Sequence, residues 1–258
     1  MLLLIDIGNT NITIGVSQDA QLIGNWRVST NKFATSDELW MLLCSLLEAH
    51  KLNIDQVHGA AMGSVVPRLT SMVEQLLKEK LGAPVINVSS NLDLGIEIEC
   101  EYPDSVGADR LCNTVAGYQK YGGPLVIVDF GTATTFDIVS KNGHYLGGII
   151  AAGPETTISV LHAAAAKLPA VELQFPPNLI GTTTETSIQS GIMFGIVAMI
   201  DGLNRRLIYE LGRSTKIIAT GGLSAIFVAS LETVELLEPN LTLDGLQSIF
   251  DRCAGRLA

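Results

Sequence analysis

Two segments of the chain each place a carboxylate and a glycine-rich turn directly after an apolar strand. Residues 2–16 read LLLIDIGNTNITIGV and residues 125–139 read LVIVDFGTATTFDIV, and the two align without a gap at an offset of 123 residues. The matching pairs include Asp6 with Asp129 and Gly8 with Gly131. A carboxylate at a strand end, followed by Gly, Asn and Thr, suits a bound metal ion and a phosphate group. Two such turns can hold one nucleotide between them.

The first turn offers several groups to an anion. Asp6 interrupts an apolar strand, where a carboxylate is costly unless it is paired, hydrogen-bonded or bound to metal. Gly8 lets the backbone approach a ligand, the amides that follow it can form an anion-binding concavity, and Asn9 and Thr10 add donors. A plain hairpin turn, in which Asp6 caps its own backbone, explains a single copy equally well. The second copy, at residues 129–135, favours phosphate binding.

A third candidate, Val106-Gly-Ala-Asp-Arg110, opens a predicted helix. An acidic residue such as Asp109 is common in a first helical turn for electrostatic reasons alone. Gly107 permits an unusual backbone at the helix entry, and Arg110 is an adjacent cation suited to carboxylate or phosphate. Phosphoryl transfer to a hydroxyl group needs a base and nearby positive charge, so this segment is a candidate for the chemical step.

A strand that runs into a double glycine, residues 217–224 (IIATGGLS), is a weaker candidate. Its flat turn can support an adenosine, and a simple strand-to-helix turn is the alternative. The sequence contains no Walker motif, no dinucleotide G-x-G-x-x-G, no G-x-S-x-G and no protein-kinase signature. The four cysteines and four histidines show no metal-ligand spacing.

The elements that must position these residues follow the same order in each half of the chain. Strands are predicted at 2–7, 12–16, 22–28, 59–66 and 84–88, and then at 125–130, 134–139, 145–150 and 216–219. Helices are predicted from the capping box at Thr35–Glu38, from Pro67 to Gly82, over 108–121 and over 187–211. The pattern β-β-β-α-β-α therefore occurs twice and predicts two α/β domains, 1–120 and 121–258, with a cleft between them.

Net charge and the lengths of the apolar runs argue against some classes of partner. The net charge of −10 argues against a nucleic-acid partner, whose phosphates require Lys and Arg. The N-terminal segment lacks the basic start of a signal peptide, and the longest apolar run, 192–200, is too short to span a bilayer. We therefore expect a cytoplasmic protein without a membrane partner.

Four motifs together resemble type III pantothenate kinase. They are D-x-G-N-T at the N-terminus, G-A-D-R at 107–110, D-F-G-T-A-T-T at 129–135 and G-G-I-I-A-A-G at 147–153. The resemblance runs from Leu2 to beyond Gly222 and implies two duplicated ribonuclease-H-like domains of the acetate and sugar kinase, Hsp70 and actin superfamily. It also implies a homodimer that phosphorylates pantothenate with ATP in the first step of coenzyme A biosynthesis. Cys100 departs from the family, which often has an aromatic residue there.

The resemblance assigns roles to individual residues. The turn that binds the ATP phosphates comprises Asp6, Ile7, Gly8, Asn9, Thr10, Asn11, Ile12 and Thr13, and Thr132 is a further ATP contact. Asp129 would hold a monovalent cation, K⁺ or NH₄⁺. The pantothenate contacts would be Gly107, Ala108, Asp109, Arg110 and Thr184, with Asp109 as general base. A divalent ion such as Mg²⁺ would accompany the triphosphate, bridged to Asp6 through water.

Three other functions remain open at this stage. A kinase of the same superfamily acting on another small metabolite would carry the same loops, because fold alone does not fix a substrate. A non-catalytic regulatory homologue is disfavoured because Asp6, Asp109, Arg110 and Asp129 are all present. A mechanical ATPase of the Hsp70 or actin type is disfavoured because 258 residues leave no room for its additional domains.

Overall fold

A computed structural model describes residues 1–165 and 168–254. The chain forms two compact units: unit 1 contains Met1–Gln119 and the C-terminal segment that begins at Leu241, and unit 2 contains Lys120–Asn240. The strands are β1 (Leu2–Ile7), β2 (Asn11–Gln18), β3 (Gln21–Ser29), β4 (Gly59–Ser64), β5 (Val85–Asn87), β6 (Glu97–Ile98), β7 (Leu125–Phe130), β8 (Ala133–Val139), β9 (His144–Ala152), β10 (Lys216–Thr220) and β11 (Leu236–Leu237). The α-helices are α1 (Ser36–Ala49), α2 (Pro67–Leu81), α3 (Ala108–Tyr121), α4 (Pro154–Ala164), α5 (Thr184–Leu211), α6 (Ser224–Phe227) and α7 (Leu241–Ala254).

Unit 1 is built on a sheet with the strand order β3-β2-β1-β4-β5. β2 runs antiparallel to β1 and β3, whereas β4 runs parallel to β1 and β5. Side chains alternate between the faces of each strand. One face of the sheet packs against α1 and α2, and the other face packs against α3 and α7.

Local signals in the sequence explain where the helices of unit 1 begin and end. α1 starts with the predicted capping box, in which the Thr35 hydroxyl accepts from the Glu38 N–H and the Glu38 carboxylate accepts from the Thr35 N–H. Pro67 occupies the first turn of α2, where its missing N–H costs nothing. Gly82 ends that helix with a φ of 57°, a conformation that glycine adopts without strain.

Unit 2 repeats this arrangement. Its strands lie in the order β11-β10-β7-β8-β9, with β7 antiparallel to β8 and parallel to β10. β1 and β7 show the same burial pattern, four buried residues followed by a half-buried aspartate and a buried residue. The predicted class of two duplicated ribonuclease-H-like domains is therefore confirmed.

The structure shows that the two hairpins do not match residue for residue, because their turns differ in length by one residue. Asp6 pairs with Thr13 across β1 and β2, whereas Asp129 pairs with Thr135 across β7 and β8. The second turn is thus one residue shorter, and Thr135 rather than Phe136 occupies the place of Thr13. The sequence alignment does not show this difference in turn length, because β2 and β8 are both rich in apolar residues and match at either offset.

The C-terminal end of the chain differs from the predicted division at 120/121. α7 packs against β1 and β4 of unit 1, and its buried residues Leu243, Leu246, Ile249 and Phe250 belong to the same cluster as α3. The helix therefore covers the first sheet, although it is the last element of the chain. Neither α7 nor α4 was expected, and α5 begins three residues before the predicted helix over 187–211.

α5 is long and apolar enough to cross a membrane by length and composition alone. The same property is found in core helices of soluble proteins, and here Ile192, Met193, Ile196 and Ile200 pack into the hydrophobic core of unit 2. The apolar character of this helix thus has a structural explanation within unit 2.

Candidate active site

The first turn is closed by its own backbone and fastened to the end of β3. The Gly8 N–H donates to the Asn11 carbonyl oxygen at 2.9 Å, and a Cβ on Gly8 would lie 2.9 Å from the same oxygen. Thr30 donates its N–H to the Thr10 carbonyl at 2.9 Å and its hydroxyl to the Gly8 carbonyl at 2.7 Å. The Gly8 amide is therefore used within the turn, so an anion site here depends on Asn9–Asn11, and Thr30 is a supporting residue that the sequence analysis missed.

The eight residues of the predicted ATP turn include both buried apolar residues and exposed polar ones. Ile7 and Ile12 are 0% and 4% exposed and belong to the core beneath the sheet, so only their backbone can face a ligand. Asn9 and Thr10 are exposed, and the Lys32 ammonium donates to the Asn9 side-chain oxygen at 3.4 Å. The polar tip of the turn is thus accessible, whereas its apolar flanks anchor it.

Asp6 lies on the face of the sheet that α3 covers. Its strand neighbours are Thr13 on β2 and Gly63 on β4. A Cβ on Gly63 would lie 3.3 Å from the Cβ of Ala108, the first residue of α3. The N-terminus of α3 therefore packs directly beside the strand position next to Asp6.

Asp109 lies in the first turn of α3. Its Oδ1 accepts from the Arg110 N–H at 2.8 Å. A Cβ on Gly107 would lie 2.5 Å from that Oδ1, and φ of Gly107 is not in the left-handed region. A side chain at position 107 would therefore displace the Asp109 carboxylate from its present position. The prediction of an unusual backbone at Gly107 is wrong, since its φ is not in the left-handed region.

Burial raises the pKa of the Asp109 carboxyl group above its ordinary value, and this effect exceeds the opposing ones of the Arg110 N–H and guanidinium. A carboxylate with a raised pKa is a better proton acceptor than an exposed one.

The Cys112 thiol lies within electrostatic range of both Asp6 and Asp109. It is completely buried one turn after Asp109. Burial is the main cause that raises the pKa of its thiol, and the negative charges of Asp6 and Asp109 raise it further. Both carboxylates therefore lie within electrostatic range of one side chain. The carboxylate beside the first turn and the carboxylate at the N-terminus of α3 thus lie on the same side of the sheet of unit 1.

The second turn is built in a similar way within unit 2. The Gly131 N–H donates to the Ala133 carbonyl at 3.0 Å, and the Thr132 carbonyl accepts from the Gly153 N–H at 3.1 Å and the Thr156 hydroxyl at 2.7 Å. A Cβ on Gly153 would overlap the carbonyl oxygens of Gly131 and Thr132. Gly153 thus occupies the position that Thr30 has in unit 1 and is needed for close approach.

Asp129 shares its face of the sheet with two hydroxyl-bearing residues. Thr135 of β8 and Thr220 of β10 are its strand partners, and both carry a hydroxyl. Gly221, with a φ of 93°, packs so close that a Cβ there would overlap the Asp129 carboxylate. The first glycine of the predicted adenosine surface therefore packs on this aspartate. Carboxylate and hydroxyl oxygens are ligands that suit a hard cation.

Thr184 lies in unit 2, at the first position of α5, and is exposed. The helix is capped by Thr183, whose hydroxyl accepts from the Thr186 N–H at 3.1 Å. Because Thr183 is the capping residue, the Thr184 hydroxyl is not needed to cap the helix.

Comparison with known proteins gives a consistent result. A family model described as type III pantothenate kinase matches residues 2–206. Curated type III pantothenate kinases from Moorella thermoacetica and Solibacter usitatus are 41% and 43% identical to this chain, and each alignment covers 98% of it. The alignments cover 99% and 97% of those proteins.

The chain belongs to the type III pantothenate kinase family. It is a phosphotransferase that phosphorylates pantothenate in coenzyme A biosynthesis, with ATP and a divalent cation.

Two solved structures share the fold of this type III pantothenate kinase at low sequence identity. Component A of (R)-2-hydroxyglutaryl-CoA dehydratase from Acidaminococcus fermentans has a TM-score of 0.53 at 14% identity and covers 99% of this chain and 98% of its own. A ROK hexokinase from Thermus thermophilus has a TM-score of 0.50 at 13% identity and covers 96% and 97%. These likenesses support the duplicated fold.

Proposed function

We propose that Asp109 is the general base of the pantothenate kinase reaction. It accepts the proton of the primary hydroxyl of pantothenate while the hydroxyl oxygen attacks the γ-phosphorus of ATP. The new O–P bond forms as the bond from the γ-phosphorus to the β,γ-bridging oxygen breaks, and ADP leaves. The observation that carries this assignment is the half-buried Asp109 carboxylate, which accepts from the Arg110 N–H, has a raised pKa and lies at the N-terminus of α3 on the face of the sheet that carries Asp6.

We propose that the turn from Asp6 to Thr13, together with Thr132, binds ATP, and that Gly107–Arg110 with Thr184 bind pantothenate. The exposed tip of the first turn and its attachment through Thr30 support a preorganised phosphate site. The Arg110 guanidinium supplies positive charge beside the base. Most of the rate enhancement then comes from positioning and electrostatics, because phosphoryl transfer needs little covalent chemistry from the protein.

We propose two cation sites. Asp6 would hold a divalent ion through water, and Asp129 would hold K⁺ or NH₄⁺. The hydroxyl-bearing strand neighbours Thr135 and Thr220 support the second site, since monovalent cations of this size bind oxygen ligands. Such ions would neutralise charge on the phosphates.

We further propose that the protein is a homodimer that works in the cytoplasm and binds no nucleic acid. Closed two-fold oligomers are the commonest assemblies of soluble proteins. Within the described residues Cys44, Cys100, Cys112 and Cys253 form no disulfide, as is usual in reducing compartments, and the net charge of −10 disfavours a nucleic-acid partner.

The experiment that tests this function identifies the product. The purified protein is incubated with ATP, magnesium and potassium ions and either pantothenate, a panel of sugars or acetate, and the products are analysed by mass spectrometry. We expect 4′-phosphopantothenate alone. Phosphorylation of a sugar or acetate in preference to pantothenate would overturn the substrate assignment.

A further inference from the structure

A row of paired residues crosses the sheet of unit 1 at the phosphate turn. Asp6 on β1 pairs with Thr13 on β2, and Thr13 pairs with Arg27 on β3. Directly paired residues in antiparallel strands point to the same face, with Cβ atoms about 5 Å apart. Asp6, Thr13 and Arg27 therefore share one face of the sheet, and the arginine lies two strands from the aspartate.

The end of β3 is held in place relative to the turn. Thr30, three residues after Arg27, is the residue that donates to the carbonyls of Gly8 and Thr10. The opposite face of β3, which carries Trp26 and Val28, packs onto the core of α1 and α2. Arg27 thus projects from a fixed strand on the side of Asp6.

The Arg27 side chain is exposed, and it has no ion pair within residues 1–165 and 168–254. The turn itself, Asp6–Thr13, contains no Lys or Arg in a chain with a net charge of −10. A triphosphate held by this turn therefore lacks a cation from the turn, and Arg27 is a strongly basic group on the same face of the sheet.

Unit 2 provides an internal comparison. Its corresponding row is Asp129, Thr135 and Ile150, because Thr135 pairs with Ile150 on β9. The aspartate and the threonine recur, but the arginine is replaced by an apolar residue. The arginine thus occurs only in the row of the first turn, which the proposed function assigns to the triphosphate. The row of the second turn, which the proposed function assigns to a monovalent cation, has an isoleucine in its place.

We propose that Arg27 is a binding residue for the triphosphate of ATP. Its guanidinium group presents several N–H donors in a planar fork and pairs with two phosphate oxygens at once. This proposal rests on the proposed function, since it takes the first turn as the triphosphate site. It adds a residue from a third strand to that site.

The test compares Arg27→Ala and Arg27→Lys with Arg213→Ala, which removes an exposed positive charge in unit 2 and so matches the change in net charge. We measure the dissociation constant of magnesium-ATP by calorimetry without pantothenate, and the KM for ATP and for pantothenate. Arg27→Ala should weaken ATP binding by about 10-fold to 100-fold, as expected for a charge-assisted pair. Arg27→Lys should show a smaller loss, because the charge remains.

Arg213→Ala should bind ATP within twofold of the unmodified protein, and Arg27→Ala should leave the KM for pantothenate within twofold. The proposal is overturned if Arg27→Ala binds ATP as well as Arg213→Ala does, or if only the KM for pantothenate rises. Failure of the proposed function is distinguishable, because the unmodified protein would then make no phosphopantothenate while the calorimetric comparison would still decide the role of Arg27.

Discussion

Replacing Asp109 with asparagine should separate catalysis from stability. Asparagine has nearly the same shape and still offers an oxygen to the Arg110 N–H, which donates to Asp109 at 2.8 Å in the native protein. It cannot accept a proton from the pantothenate hydroxyl. Loss of general-base catalysis costs about 100-fold to 10,000-fold in turnover, which is about 3–5 kcal/mol in the activation barrier.

The same substitution should raise the free energy of unfolding at neutral pH. The pKa of Asp109 is raised in the folded state, chiefly by burial, so the folded protein binds this proton more readily than the unfolded chain. Between the unfolded and the folded pKa, stability therefore falls as pH rises, and the cost is complete above the folded pKa. A neutral asparagine removes this cost, as is common for groups kept for function.

The assay measures pantothenate-dependent ADP release, the KM for ATP, and urea unfolding at several pH values. Asp37→Asn is the matched control, because Asp37 is an exposed aspartate in the first turn of α1. It should lose a few tenths of a kcal/mol in stability and retain full turnover. Asp109→Asn with turnover within tenfold of the native value would remove Asp109 from the base role, and a large loss of stability would make it a structural residue.

Three further predictions concern the second turn and the assembly. Asp129→Ala should weaken ATP binding and abolish activation by potassium or ammonium ions; an unchanged response in a titration of those ions would place the cation elsewhere. Gly221→Ala should lower the free energy of unfolding by about 1–3 kcal/mol, because its φ is 93° and a Cβ would overlap the Asp129 carboxylate. In urea unfolding, Gly195→Ala in α5, where nothing beyond the helix's own backbone and the neighbouring residues lies within 4 Å of the added Cβ, should be neutral or stabilising, and equal losses for both variants would refute the argument. Analytical ultracentrifugation at micromolar concentration should give roughly twice the chain mass, whereas a monomer would contradict the dimer.

Much of the fold was predictable because short-range signals agree with the tertiary structure. The capping box at Thr35–Glu38, Pro67 and Gly82 define helix ends through local chemistry, and the structure shows each of them in that role. The placement of α7 on the sheet of unit 1 was not predictable. Its amphipathic pattern shows that it covers a surface, but the partner surface, formed by β1, β4 and α3, is distant in sequence.

The candidate site was predictable as a set of residues, but its arrangement was not. The repeat identified Asp6 and Asp129, and the G-A-D-R segment identified Asp109. Proximity of Asp6 and Asp109 arises because α3 packs beside Gly63, a contact that no local pattern encodes. The shorter second turn was likewise invisible, since only strand register shows that Thr135 is the counterpart of Thr13.

The central claim is that this protein transfers the γ-phosphoryl group of ATP to pantothenate, with Asp109 as the general base and Asp6 at the triphosphate. The most direct test is the rate of ADP formation by the purified protein, with magnesium and potassium ions, in the presence and absence of pantothenate. We predict ADP formation that depends on pantothenate and matches the phosphopantothenate formed one to one. ADP formation at the same rate without pantothenate, or none with it, would contradict the account.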